Sequence, residues 1–339
     1  MFRDWFLTIL KYCIRHRTII GPKFNITVFE KFIKSKLRKS PISIMIEPAA
    51  RCNLSCPLCT TPHKYMTREQ GFMEWETYQK IINDVKDFAM IFYYNFAGEP
   101  FLNPDLFKMV NKAAEHDIIT FIDTNATLLT KQTIREVLNS GLTVLVVNID
   151  YCTKEKFEAF RKGAKFASTM RGLKQLCELK RKRNQFFPLV VAEVIISKQN
   201  EEHLQKISDF AMNQIGVDGV FYKSLCFPLH SKGFRDANDK HQLIKKYLTE
   251  KTPITRYVLK NKNLALKNPK ETCEWHQKSL ILWDGRVAAC CYDYNGEYTF
   301  GNINENSFLD IWNSKKYRYY REKLIKYKKL ELCEYCSIV

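Results

Sequence analysis

The segment ISIMIEPAARCNLSCPLCTTP, residues 42–62, decides how the rest of the chain is interpreted. It opens with a short run rich in isoleucine and methionine, which is typical of a buried β-strand. Cys52, Cys56 and Cys59 follow at once in a C-x3-C-x2-C arrangement, with no fourth cysteine nearby. The sequence therefore predicts a strand that leads directly into a loop with three thiol ligands.

Five further β-rich runs follow the first one and alternate with helical stretches. Their nearly continuous apolar character is typical of parallel strands that are covered on both faces. Helical periodicity over 74–88 and 200–216 supplies part of the covering layer. Six such units predict an α/β fold, a partial (β/α)6 TIM-like barrel, with its chemistry at the carboxyl ends of the strands. The six runs are 42–48, 90–96, 118–123, 143–149, 189–196 and 218–224.

The composition is typical of a large globular protein from a reducing compartment. The chain has 339 residues, of which 45% are hydrophobic, and this is enough for a substantial core. Charged residues interrupt the opening segment MFRDWFLTILKYCIRHR, and a small-residue cleavage site is missing, so we expect no signal peptide. Twelve cysteines in a cytoplasmic protein indicate metal binding more often than disulfides.

Positive charge is concentrated at the amino terminus. The net charge is +18, and residues 1–40 hold ten Lys and Arg against Asp4 and Glu30, a balance of +8. Residues 2–13 also form an apolar helical stripe, which predicts packing on the barrel or peripheral contact with the inner face of a membrane. An anionic or lipid-linked substrate suits this charge, whereas nucleic acid is the weaker match.

Three thiols and no fourth leave one iron of a 4Fe-4S cluster open, whereas a structural zinc site fills its coordination shell. The motif CNLSCPLC, placed on the loop after the first strand, resembles the cysteine motif of the radical S-adenosylmethionine (SAM) enzymes. The resemblance implies a 4Fe-4S cluster that binds SAM and cleaves it reductively to methionine and a 5'-deoxyadenosyl radical. It also implies a reductant such as flavodoxin or ferredoxin. Leu58 departs from the family pattern, in which an aromatic residue often precedes the third cysteine.

Motifs at the ends of the next three strands extend this resemblance. FAGEP (96–100) resembles the Gly-Gly-Glu segment that receives the SAM amino group, and DTNATL (123–128) resembles a Thr-Asn-Gly turn. VNIDYCTKEKFEAFRKG (147–163) resembles a Ser-x-Asp segment followed by Arg-x-Gly, whose polar side chains would bind the SAM ribose and carboxylate. The implied SAM contacts are Ala97, Gly98, Glu99, Thr124, Asn125, Asn148, Asp150 and Arg161.

The last seventy residues hold a second cysteine set. The spacing C-x11-G-x4-C, from Cys273 through Gly285 to Cys290, precedes a distant C-x2-C formed by Cys333 and Cys336. This pattern resembles the twitch form of the SPASM extension in one branch of the radical SAM enzymes. It implies an auxiliary 4Fe-4S cluster with four protein ligands, and zinc is the alternative occupant.

Several further residues have two interpretations. Cys291 competes with Cys290 as a ligand, although the Gly-x4-Cys spacing favours Cys290. The basic and aromatic run 316–329 resembles a nucleic-acid surface, but its helical periodicity favours a helix between the cluster cysteines. Cys152 and Cys226 fall just beyond strand ends, where a thiol could return a hydrogen atom to a substrate radical, as in related epimerases.

These patterns predict four parts: a basic amphipathic segment (1–40), a radical SAM partial barrel (41–235), a linker region (236–270) and a twitch-like domain (271–339). We expect an oxidoreductase that abstracts hydrogen from a sugar-like or aminocyclitol alcohol and oxidises or epimerises it. Because the auxiliary cysteine set is complete, oxidation is favoured. The alternatives are a maturase that modifies a ribosomal peptide and a zinc-stabilised nucleic-acid-binding protein.

Overall fold

The computed structural model describes residues 22–62, 65–260, 263–267 and 273–325, together with Cys333 and Cys336. The apolar stripe predicted for residues 2–13 and the end of the basic run 316–329 lie outside the described residues. Within the part of the chain that is described, no helix combines the length and the apolar character needed to cross a membrane.

Six parallel strands, paired with their neighbours in chain order, form the barrel wall. Each strand begins within about one residue of the run that predicts it, because the runs of β1 to β5 are largely buried from both sides, while that of β6 is half-buried. The α/β partial barrel is thereby confirmed. The strands are β1 Ser43–Ile46, β2 Ile91–Tyr94, β3 Ile119–Thr124, β4 Val144–Asn148, β5 Leu189–Ile196 and β6 Gly219–Ser224.

Amphipathic helices cover the outer face of this wall and bury their apolar sides against it. Thr130 caps one of them, since its hydroxyl oxygen accepts a hydrogen bond from the Thr133 amide at 3.2 Å. The helix predicted over 200–216 divides into an α-helical part and a π-helical turn, Phe210–Ile215, which ends at Gly216. The helices up to residue 247 are α1 Pro22–Arg38, α2 Trp75–Val85, α3 Leu106–Ala114, α4 Lys131–Asn139, α5 Lys154–Phe160, α6 Phe166–Lys182, α7 Leu204–Asp209, α8 Lys232–Arg235 and α9 Lys240–Tyr247.

The carboxyl-terminal region continues the barrel wall. Its first sheet strand pairs in parallel with β1, and the next two strands follow antiparallel, so that one sheet of nine strands results. The Glu47 amide donates to the Ile281 carbonyl at 2.9 Å and prolongs this pairing. The elements of this region are β7 Tyr257–Lys260, β8 Asn263–Leu266, β9 Lys278–Ile281, β10 Arg286–Ala288, β11 Thr299–Asn302, α10 Phe308–Asn313 and α11 Lys315–Ile325.

Alternate residues of the strands point into the barrel lumen, because successive side chains of a strand face opposite sides. Near the amino ends of the strands the lumen is filled by an apolar cluster that includes Ile119, Val144 and Val191. Four residues further along β3 and β4, the same faces carry Asp123 and Asn148. The lumen therefore changes from an apolar floor to a polar rim at the end where the cysteine loop lies.

Helix α1 contacts the amino-terminal side of the barrel through a buried cation. The ammonium group of Lys31 donates hydrogen bonds to the carbonyls of Ala89 and His116. Burial lowers the pKa of Lys31 to about 8. One of the basic residues assigned above to an anionic partner is therefore used inside the fold, whereas Ile33 and Leu37 of the same helix are exposed.

Candidate active site

The loop after β1 presents the three cysteines to the ends of the neighbouring strands. The Leu54 amide donates to the Cys52 sulfur at 3.4 Å, and the side-chain nitrogen of Asn125 lies 3.9 Å from the same atom. Burial raises the pKa of Cys52 to about 12. A thiolate at this position is therefore stable only when a metal or another cation compensates its charge.

The turn after β2 packs directly against the beginning of the cysteine loop. Gly98 has a φ of +83°, and a Cβ atom there would lie 2.4 Å from the Ala49 carbonyl oxygen, so the approach requires glycine. The Glu99 amide donates to the Arg51 carbonyl at 2.8 Å. Ala97, which replaces the first glycine of the family pattern, is buried. The turn thus holds Glu99 beside the cysteines.

The Glu99 carboxylate is buried and accepts three hydrogen bonds. The Thr124 hydroxyl donates at 2.6 Å, the Asn125 amide at 2.8 Å and the Phe101 amide at 3.2 Å. Burial raises the pKa of Glu99, and these hydrogen bonds oppose the rise. Ala126 adopts a left-handed φ of 61°, the conformation for which glycine is usual. The structure brings these residues together, and their contact with the SAM amino group stays a prediction.

An ion pair connects the end of β4 with the end of α5. Arg161 Nε donates to an Asp150 oxygen at 2.7 Å, and the other oxygen accepts from the Ile195 amide at 2.9 Å. Arg161 also forms a hydrogen bond with the Cys56 thiol. Asp150 therefore positions the Arg161 guanidinium beside the cysteine loop, where its contact with a SAM carboxylate stays a prediction.

Asn148 belongs to a polar group that the family motifs do not reveal. Its side-chain nitrogen donates to Asp123 at 3.2 Å and lies 3.5 Å from Glu193. Lys223 donates to the other Glu193 oxygen at 3.0 Å. A charged residue inside an apolar strand was the available sequence signal, as with the glutamate in LVVAEVII and the lysine in DGVFYKS. These four side chains form the polar rim of the lumen.

The rim contains one carboxyl group that titrates near neutral pH. Burial and the nearby Glu193 raise the pKa of Asp123 to about 7, while Lys223 and Arg161 oppose the rise. Burial acts to lower the pKa of Lys223, but Glu193 and Asp123 raise it above the ordinary value. Lys223 therefore stays protonated, and Asp123 can both accept and release a proton at physiological pH.

The carboxyl-terminal cysteines form a second group, beside α11. Burial raises the pKa of Cys290, and the thiols of Cys291, Cys336 and Cys273 raise it further. Burial also raises the pKa of Cys273, with a contribution from Cys333. Cys336 acts on both adjacent thiols, whereas Cys273 is among the neighbours of Cys290 alone, and this favours Cys290 over Cys291 as the fourth ligand, which stays a prediction.

Cys226 lies between the barrel and this second group. Its sulfur is 2.9 Å from the Tyr292 hydroxyl oxygen and 3.8 Å from that of Tyr257. Burial acts to lower the pKa of Arg256, but Cys226, Tyr292, Tyr257 and Cys291 raise it. The thiol is therefore held among phenols and a guanidinium at the boundary of the two cysteine sites.

Cys152, the other proposed hydrogen donor, is placed differently. It borders a cavity on the helical layer together with Gln205, Lys206 and Asp209. These residues belong to α7, which covers the outer side of the wall. The structure does not bring Cys152 together with the residues of the polar rim.

The two cysteine groups fit iron–sulfur clusters by the chemistry of their donors. Among the described residues, no three His, Cys, Asp or Glu side chains already converge tightly enough to hold a metal ion. However, amide groups and the Arg161 guanidinium face the sulfur atoms of Cys52 and Cys56, and such donors stabilise thiolate ligands and cluster sulfides. Three thiols in one loop suit a cluster with an open iron, and four suit a closed cluster.

Comparison with known proteins supports this assignment. A model of the radical SAM superfamily matches residues 46–211, and a model of the SPASM iron-sulfur cluster-binding domain matches residues 273–337. A tungsten-containing aldehyde ferredoxin oxidoreductase cofactor-modifying protein from Pyrococcus furiosus is 25% identical over 303 residues, covering 82% of each chain.

Two solved structures resemble the fold. SuiB from Streptococcus suis, bound to its precursor peptide SuiA, gives a TM-score of 0.61 at 16% identity, covering 85% of this chain and 69% of that chain. BtrN in complex with AdoMet and 2-DOIA gives a TM-score of 0.52 at 19% identity, covering 88% and 93%. At these identities the comparison shows a shared fold.

A partial α/β barrel with a three-cysteine loop at its open end and a second cysteine group beside it defines an iron–sulfur enzyme. The chain belongs to the radical SAM superfamily and carries a SPASM domain. Its cofactors are SAM with a 4Fe-4S cluster, and an auxiliary iron–sulfur cluster. The zinc-stabilised nucleic-acid-binding protein considered above is therefore the wrong class.

Proposed function

We propose that this radical SAM enzyme oxidises a hydroxylated substrate, of the sugar-like or aminocyclitol class, held at the polar rim of the lumen. The observation that carries the proposal is the replacement of apolar by hydrogen-bonding side chains on the inward faces of β3 to β6, at Asp123, Asn148, Glu193 and Lys223. Polar groups at this depth suit a ligand with several hydroxyl or amino groups, because buried polar groups require partners.

In this proposal, the catalytic cluster and the two polar ends of SAM are bound by different residues. Cys52, Cys56 and Cys59 hold the catalytic cluster, Glu99 accepts the SAM amino group, and Arg161 pairs with its carboxylate. When bound, SAM and this cluster supply a 5'-deoxyadenosyl radical, and the auxiliary cluster supplies an electron acceptor. Asn148 would offer its side-chain oxygen to the ribose, since its side-chain nitrogen is bonded to Asp123.

Oxidation of a carbinol carbon also releases the hydroxyl proton, and we assign Asp123 as its acceptor. Oxidation would remove one hydrogen atom, one proton and one electron from the substrate, so the product would be two hydrogens lighter. Asp123 would take the proton, and the bound cofactors would supply the acceptors for the hydrogen atom and the electron. The pKa of Asp123, raised to about 7 by burial, matches this task at neutral pH. Asn148 positions the carboxylate through its hydrogen bond.

Epimerisation is the competing outcome at the same substrate carbon. It needs a hydrogen-atom donor, and Cys226 is the better of the two thiols because it lies at the boundary of the barrel, 2.9 Å from Tyr292. A product of unchanged oxidation state that carries one solvent deuterium at carbon, and loses it in Cys226→Ala, would support epimerisation.

Modification of a peptide or a cofactor is a second candidate function. It is favoured by the similarity, over 82% of each chain, to a protein that is named as cofactor-modifying. The SuiB structure that shares this fold was solved with a bound precursor peptide, so the fold is compatible with a peptide substrate.

The two candidates are separated by a substrate screen with the reconstituted, reduced enzyme and SAM. Cyclitols, aminocyclitols, hexosamines and short peptides are tested for stimulation of 5'-deoxyadenosine formation, and products are analysed by mass spectrometry. We expect an aminocyclitol or sugar to stimulate 5'-deoxyadenosine formation and to yield a product two hydrogens lighter. This oxidised product should be lost in Asp123→Asn. Glu155→Gln, on an exposed surface, is the matched control. Stimulation by peptides alone would contradict the proposal.

A further inference from the structure

Tyr320 of α11 lies at the auxiliary cysteine group. Its ring is buried and packs 4.9 Å from the ring of Phe300. Helix α11, which carries Tyr320, packs against the turn Glu274–Gln277 that directly follows Cys273, and Cys290, Cys333 and Cys273 all act electrostatically on the phenol. A phenol carries its proton at neutral pH, so the Tyr320 hydroxyl is available as a hydrogen-bond donor.

The Tyr320 hydroxyl oxygen is buried and has no hydrogen-bond partner among the residues that the structure describes. The neighbouring buried tyrosine of the same helix differs, since Tyr317 has its hydroxyl 3.4 Å from the Ser279 hydroxyl. A buried hydroxyl without a partner is unfavourable and rare in folded proteins, so such a group indicates a missing acceptor. The three thiols beside Tyr320 show where that acceptor belongs.

We propose that Tyr320 donates a hydrogen bond to a sulfur of the auxiliary cluster and thereby sets its reduction potential. A hydrogen bond to a sulfide or thiolate stabilises the reduced cluster, which is the more negative form. The tyrosine thus makes the auxiliary cluster a better electron acceptor. This inference depends on the auxiliary cluster and is independent of the substrate proposed above.

The test uses the full chain with the catalytic cluster removed by Cys52→Ala, Cys56→Ala and Cys59→Ala, so that a single cluster contributes to the signal. Tyr320→Phe is introduced in this background, and the reduction potential is measured by an anaerobic redox titration followed by electron paramagnetic resonance. We expect Tyr320→Phe to shift the potential to a more negative value while iron content and the absorbance spectrum of the cluster stay unchanged.

Tyr317→Phe is the matched control, because it removes a buried phenol one turn earlier on the same helix. Its potential is expected to equal that of the parent. An unchanged potential in Tyr320→Phe, or equal shifts in both variants, would overturn the proposal. The same holds if the parent contains zinc, or no reducible cluster. Loss of iron in Tyr320→Phe alone would assign the residue to the packing of the site instead.

Discussion

The two cysteine groups of this molecule have different surroundings. Charged and amide groups surround the loop of Cys52, Cys56 and Cys59, where Glu99 is buried and Arg161 contacts a thiol. Aromatic rings surround the carboxyl-terminal group: the rings of Phe300 and Tyr317 stack at 4.0 Å, and Tyr320 packs on the same ring.

This difference follows from what each group must bind in addition to iron. A cluster with an open iron binds SAM, whose amino and carboxylate groups require an anion and a cation nearby, and in the function proposed above Glu99 and Arg161 supply them. A closed cluster binds no further ligand, so its environment can be built from apolar rings and a hydroxyl. In the proposed function, the surroundings of the thiols thus distinguish the cluster that binds SAM from the cluster that accepts an electron.

The largest effect is expected from removing the three thiols of the open site. The triple replacement of Cys52, Cys56 and Cys59 by alanine should reduce 5'-deoxyadenosine formation to background, because the radical is generated at that cluster. The fold should persist, since these residues lie on a loop outside the strands. SAM cleavage by the reduced variant and its circular dichroism spectrum are the measurements. Cleavage at the parental rate would remove the distinction between the two sites.

The next effect distinguishes the adjacent cysteines of the closed site. In Cys290→Ala the auxiliary cluster should be lost, and iron should fall from about eight to about four per chain, since each cluster holds four. Cys291→Ala is the matched control and should retain about eight irons, because the neighbours of Cys290 include Cys273, whereas Cys291 lies near Cys226. The reverse result would exchange the two residues in the ligand set.

Sequence patterns predicted the barrel and the order of its motifs well, because each depends on local spacing. The apolar runs around β1 to β6 indicate buried strands, and the cysteine spacing indicates a loop. The pairing of β9 with β1 was not predictable, since it joins residues more than two hundred positions apart. The polar rim was not predicted for a related reason: a charged residue within an apolar run marks Glu193 and Lys223 individually, but sequence spacing does not show that they meet Asp123, which lies on another strand.

The smallest expected effect concerns the free energy of unfolding that is lost by burying a charged Asp123 in the polar rim. Asp123 has a pKa of about 7 in the folded protein and an ordinary value of 3.8, so between pH 4 and 7 the folded state binds more protons than the unfolded state. Stability from this group is therefore present at low pH and is lost as the pH rises to about 7. Each pKa unit corresponds to about 1.4 kcal/mol, so the raised pKa should change the stability by at least about 1 kcal/mol between low and neutral pH.

Asp123→Asn removes this penalty, so the variant should gain thermal stability relative to the parent when the pH rises from 5 to 8. The difference in melting temperature between the two should change by about 2 °C, measured anaerobically on the cluster-loaded proteins. Glu155→Gln, at an exposed site, should show no such change. The charged groups that face Asp123 are Glu193, which raises its pKa, and Lys223 and Arg161, which lower it. If the difference in melting temperature is independent of pH, the charge of Asp123 is already compensated by Lys223, and the polar rim carries no excess buried charge.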